Sequence, residues 1–76
     1  MIKELLDMIV KALVDYPDQV AIKEIEYDNM IVFELSVAKE EMGKIIGKQG
    51  KIAKSIRTVI KAAAIKCNKK VTIEII

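Results

Sequence analysis

Gly43-Lys44-Ile45-Ile46-Gly47-Lys48-Gln49-Gly50 holds every glycine of the chain, and its reading decides what the flanking segments can be. Gly47 and Gly50 bracket a Lys-Gln pair between a short segment, Glu40 to Ile46, and a long amphipathic run, Lys51 to Lys66. That arrangement predicts helix, tight turn, helix. Glycine at both ends of so short a turn permits φ > 0 and removes the Cβ atoms that would hold another backbone at a distance. The turn ends at a helix N-terminus, where unpaired N–H groups and the positive end of the dipole favour an anion. Lys48, Lys51 and Lys54 add formal charge beside it, so a phosphate-rich polymer is the expected ligand.

On the C-terminal side, Ile52, Ile56, Val59, Ile60 and Ala63 are expected to share the apolar face of the long helix, with Lys51, Lys54, Arg57 and Lys61 on the opposite one. Asn68 is a plausible stop, and Val71, Ile73 and Ile75 alternate with Thr72 and Glu74 as a last strand. On the N-terminal side, Gly43 interrupts the segment Ala38 to Ile46, at about 1 kcal/mol against Ala in a helix interior. Something should therefore want the backbone bare there. Met30 to Val37 places Ile31, Phe33, Leu35 and Val37 on one face of a strand. Asp28-Asn29 is a two-residue hairpin turn, preceded by a strand, Val20 to Tyr27, whose broken alternation predicts a bulge near Lys23-Glu24. The first helix carries Ile2, Leu5, Leu6, Ile9 and Leu13 on one face and stops at Asp15-Tyr16-Pro17-Asp18.

At 76 residues the chain is expected to form one α+β domain, residues 1–76, with the order α-β-β-α-α-β. Its 53% apolar content supports a core. Net charge is only +2, so any electrostatic role depends on placement: Lys44 to Lys70 holds nine Lys or Arg and no acid. One cysteine, Cys67, permits no internal disulfide and no cysteine metal set. No apolar run approaches ~18 residues, so the expectation is a soluble, cytoplasmic protein. The absence of histidine removes the commonest general base and histidine-dependent zinc sites. Gly43-x-x-x-Gly47-Lys48-Gln49 is one residue short of a nucleotide-binding phosphate loop and lacks its Ser/Thr. Glu40-Glu41 is an acidic pair with nothing nearby in sequence to tune or use it. We expect no catalysis, metal or cofactor.

The element order, together with Ile46-Gly47-Lys48-Gln49-Gly50 joining the second and third helices, closely resembles the type II KH domain. That fold is a three-stranded sheet with helices packed on one face, and it binds single-stranded nucleic acid through a GXXG loop. More narrowly, Ala12-Leu13-Val14-Asp15-Tyr16-Pro17-Asp18 and the core Gly43 to Lys51 resemble the small bacterial single-KH-domain RNA-binding proteins of the KhpA type. The resemblance implies that Gly47, Lys48, Gln49 and Gly50 meet the sugar-phosphate backbone, flanked by Lys44 and Lys51. It also implies that Gly43, Ile46, Ile52 and part of the Met30 to Val37 strand form a groove for bases. Lys54 lies one turn from the loop and is counted with them. Ile52 departs from the group's pattern, which has a small polar residue such as Thr there. The implied role is a non-catalytic single-stranded RNA binder, an RNA chaperone or post-transcriptional regulator, with a homodimer and a second, larger KH-containing protein as protein partners. The alternative is a protein-interaction module in which RNA contact is secondary. Single-stranded DNA is a further possible ligand, because phosphate contacts do not see the 2′-OH.

Overall fold

The computed structural model describes residues 2–76. Leu6, Val10 and Val14 recur at intervals of four and put a buried stripe along the first helix, α1 (Ile2–Leu13), and the residue just past its end. Val10 and Val14 thus take the place expected of Leu13, which is 37% exposed. Leu13 ends the helix, and the chain leaves it with Val14 turned inward before a 3₁₀ turn at Pro17–Gln19. Strands β1 (Ala21–Glu26) and β2 (Met30–Ser36) follow as an antiparallel hairpin closed by Tyr27 N–H to Met30 O at 2.7 Å. A 3₁₀ turn at Lys39–Glu41 leads into α2 (Met42–Ile46), and a tight turn at Lys48–Gly50 into α3 (Lys51–Ile65). Strand β3 (Lys70–Ile75) returns parallel to β2. The expected α-β-β-α-α-β order is observed.

The sheet order is β1-β2-β3, with β2 in the middle. The ladder between β1 and β2 is continuous from Ala21↔Ser36 to Glu26↔Ile31, so the bulge expected near Lys23-Glu24 is absent. Unbroken alternation instead puts Ile22, Glu24 and Glu26 on the side of Leu35, Phe33 and Ile31, and sends Ile25 to the other side opposite Val32. The acidic pair is tolerated on the inner side because β1 is an edge strand, where Glu26 pairs with Lys69.

All three helices supply the core from one side of the sheet. Leu6, Val10 and Val14, Ile45 of α2, and Ile56, Ile60 and Ala64 of α3 pack on Ile31, Phe33, Leu35, Val71 and Ile73. On α3 the buried set is Ala53, Ile56, Ile60 and Ala64, whereas Val59, expected inside, is 47% exposed. The helix is rotated so that the small alanines meet its neighbours. Arg57 then borders the core rather than standing opposite it, and is half-buried.

Among the described residues, one polar side chain is fully buried. Glu41, at 1% exposure, accepts hydrogen bonds from the backbone N–H groups of Asp15 and of Tyr16, the latter at 2.9 Å. Its carboxylate ties the turn after α1 to the start of α2 and satisfies two backbone donors of that turn. The acidic pair Glu40-Glu41 therefore splits: Glu40 is exposed, and Glu41 is a clamp. Hydrogen bonds to a charged acceptor contribute roughly 1.5–3 kcal/mol each, and a buried donor left unpaired carries its full desolvation cost. Glu41→Ala is expected to lower unfolding free energy by about 2–4 kcal/mol in urea titration, and Glu41→Gln by less, since the amide oxygen still accepts. A loss below ~0.5 kcal/mol for Glu41→Ala would show that the clamp does not hold the two elements together.

Candidate nucleic-acid interface

Reversing the chain between α2 and α3 requires positive φ at three neighbouring positions: Gly47 (φ 74°, ψ 174°), Gln49 (φ 59°, ψ 25°) and Gly50 (φ 74°, ψ 13°). The Gly47 conformation belongs to a region essentially reserved for glycine. Gln49 is left-handed without being glycine, which costs roughly 1–2 kcal/mol. Gly47 N–H donates to Gly43 O at 2.8 Å, and Gly50 N–H to Gly47 O at 3.1 Å. The resulting turn projects the side chains of Lys48 and Gln49 into solvent. Gly50 is the N-cap of α3 and no side chain caps that end, so the positive end of a 15-residue helix dipole meets solvent beside the lysines.

The sequence-selected residues fall into three groups. Gly47, Lys48, Gln49, Gly50, Lys51 and Lys54 lie together on the turn and the first turns of α3, with all three lysines exposed. Gly43 and Ile46 lie on α2, both exposed, Ile46 at 39%. Lys44 and Ile52 are otherwise engaged. Lys44 Nζ is hydrogen-bonded to the Asp15 carboxylate and lies 3.5 Å from Glu41 Oε2. The hydrogen bond to Asp15, with smaller attraction from Glu41, raises its pKa above the ordinary lysine value despite some desolvation. Whatever this pairing contributes to stability is fully present below the unfolded lysine pKa and is lost as pH rises through the higher folded one, so it is constant at neutral pH. Electrostatically, Lys44 is matched by carboxylates and serves the α1–α2 junction. Ile52 is half-buried, packing against the core on one side and Gly47 on the other.

Of the Met30 to Val37 strand, part of which is expected to form a groove with Gly43, Ile46 and Ile52, only Met30 lines the groove at the edge of the sheet. That strand is β2, paired on both edges, and the strand with an open edge beside α3 is β3. Lys70 N–H donates to Asn29 O and Ile76 N–H to Leu35 O. The intervening Val71, Ile73 and Ile75 therefore direct their peptide groups to the free edge. A groove of about 460 Å³ runs there, floored by Ala64, Ile65, Val71 and Ile73 and edged by Arg57, Lys61 and Lys70. Arg57 Nε and Nη2 both donate to Ile73 O, at 3.4 Å. Arg57 is seven residues beyond Gly50, about 10 Å along the helix. The sequence places Arg57 and Lys61 on the face of the helix opposite the apolar one, and the acid-free run from Lys44 to Lys70 is the signal that they belong to one basic surface.

Among the described residues no cluster of His, Cys, Asp or Glu could hold a metal ion, and no helix is long and apolar enough to cross a membrane. A sheet covered on one side, two helices joined by Gly-Lys-Gln-Gly, and parallel outer and central strands define the type II KH class. Residues 3–75 match the family described as KhpA/KhpB, KH domain, and the chain belongs to that family. It is 61% identical to the RNA-binding protein KhpA of Clostridium acetobutylicum over 97% of this chain and 99% of that protein. The RNA-binding protein KhpA of Clostridium perfringens is 60% identical over the same shares. That of Listeria monocytogenes is 51% identical over 97% of each chain.

The three glycines are held for different reasons. A Cβ on Gly47 would lie 2.5 Å from Ile52 Cγ1, whereas a Cβ on Gly43 would meet nothing within 4 Å, and Gly43 has no positive φ. Gly47→Ala is therefore expected to destabilise, by at least ~2 kcal/mol from strain and overlap together. Gly43→Ala should stabilise by about 0.5–1 kcal/mol, raising Tm by several degrees. Calorimetry giving a lower Tm for Gly43→Ala would mean that the fold itself needs that glycine.

Proposed function

We propose that this protein binds single-stranded RNA without catalysis, holding the sugar-phosphate backbone at Gly47-Lys48-Gln49-Gly50. The observation that carries this reading is the turn itself: exposed Lys48 and Gln49 beside an uncapped helix N-terminus, with Lys51 and Lys54 on the following turn. Phosphate contacts position the strand. Bases would run from the bare α2 surface at Gly43 and Ile46 toward the α3–β3 groove, where Arg57 and the free edge of β3 offer polar groups above an apolar floor. Gly43 supports the reading because nothing in the fold occupies the space its missing side chain leaves. The name of the relatives, RNA-binding protein KhpA, agrees with it.

A small site of this kind binds weakly by itself, and a second contact on the same strand becomes intramolecular when two copies act together. The cellular role that fits is an RNA chaperone or post-transcriptional regulator in the cytoplasm, acting as a homodimer or with a second KH-containing protein. The family description, which spans KhpA and KhpB, supports the latter pairing. Light scattering should find a dimer at micromolar concentration, and a persistent 8.5 kDa species would contradict it.

Changing Lys48 and Gln49 together to Asp tests the clamp. Both side chains are exposed, so stability should change by less than ~0.5 kcal/mol, while one positive charge becomes two negative ones beside the phosphates. RNA binding should be lost with circular dichroism and melting unchanged. In the unaltered protein, three lysine–phosphate contacts at about 0.7 each give a slope of log K against log salt near −2, so a fourfold rise in salt weakens binding roughly 16-fold. Retained affinity in a folded double mutant, or a flat salt response, would remove the clamp.

A further inference from the structure

We propose that Ile52 is a positioning residue that holds the Gly47–Gly50 turn in its binding geometry by filling the space beside the Gly47 Cα. The inference rests on the reading that this turn holds the RNA backbone, and it assigns Ile52 no contact with RNA. A Cβ built on Gly47 would fall 2.5, 2.8 and 2.9 Å from Ile52 Cγ1, Cβ and Cδ1. The Ile52 side chain therefore occupies the volume that a side chain on Gly47 would take. Its other side packs against the buried core. One side chain in the first turn of α3 thus links the core to the residue with the most restricted backbone conformation in the turn.

The turn has reason to need that link. Two of its four residues are glycine, Gln49 sits in a left-handed conformation, and the turn closes on itself through Gly50 N–H to Gly47 O and Lys51 N–H to Lys48 O. No side chain caps its entry or its exit. A segment with so much backbone freedom loses conformational entropy when it docks on a ligand, and ordering it beforehand raises affinity without adding a contact. A packed aliphatic group does this here.

The full chain is compared with Ile52→Val, which keeps Cβ and Cγ1, and with Ile52→Ala, which keeps Cβ alone. Amide hydrogen exchange is measured without RNA, and affinity is measured with uridine and adenosine decanucleotides across a salt series. For Ile52→Ala we expect exchange at Gly50 to speed at least tenfold relative to the core of β2. Affinity should fall about tenfold for both oligonucleotides alike, with the salt slope unchanged because the phosphate contacts persist. Ile52→Val should retain most of the protection and affinity. Faster exchange with unchanged affinity would overturn the positioning role. So would unchanged exchange with affinity lost for one oligonucleotide only, which would make Ile52 a base contact. If Ile52→Ala does not fold, the same comparison is made on Ile52→Val, where lost affinity with wild-type exchange would overturn it. Failure of the clamp itself is separate, since it is read from the Lys48/Gln49 double mutant, whereas the exchange measurement needs no RNA.

Discussion

The close approach of Ile52 to the bare Cα of Gly47 is the constraint from which the local architecture follows. With a side chain at Gly47 the two groups would overlap, and α3 could not start where it does. Because it starts there, its alanines Ala53 and Ala64 and its isoleucines Ile56 and Ile60 meet the core. The same setting of the helix turns its basic flank toward the open edge of β3 and leaves its N-terminus uncovered. Turn geometry and helix rotation are thus one decision, which sets both the packing and the charge distribution of the surface.

The acidic half of the chain has a different task. Glu41 and Asp15 neutralise Lys44 and tie the end of α1 to α2, while Glu26 does the same for Lys69 at the sheet edge. These pairs remove positive charge from the periphery and leave Lys48, Lys51 and Lys54 without an ion-pair partner among the described residues. A net charge of +2 therefore coexists with a strongly one-signed patch, which is the property that governs attraction to a polyanion.

Much of this was legible in the sequence, for reasons that are local. The glycine spacing from Gly43 to Gly50 and the alternation of Ile31, Phe33 and Leu35, or of Val71 and Ile73, depend on a few adjacent residues and read directly. Helix rotation was less accessible. Val10 and Ala64 carry as much information as Leu13 and Val59 in a periodicity, and only the tertiary neighbours decide which pair is buried. The partners of Glu41 lie 25 and 26 residues away, a distance at which an acidic pair on a short helix looks like solvated surface. Sheet order was not accessible either: parallel return of β3 outside β2 moves the open edge beside α3 to a strand that the hydrophobic pattern cannot order in space.

The proposed path of a single strand of RNA runs along the Gly47–Gly50 turn and the α3–β3 groove. It is tested most directly by following each backbone amide in a nitrogen-resolved NMR titration with a short single-stranded RNA. The expected shifts begin at Gly47 to Ala53 and extend to Arg57 and Ile73, with the open sheet face at Lys23, Glu34 and Glu74 unmoved. Shifts confined to that sheet face, or saturable binding that leaves Gly47 to Lys51 unperturbed, would contradict it.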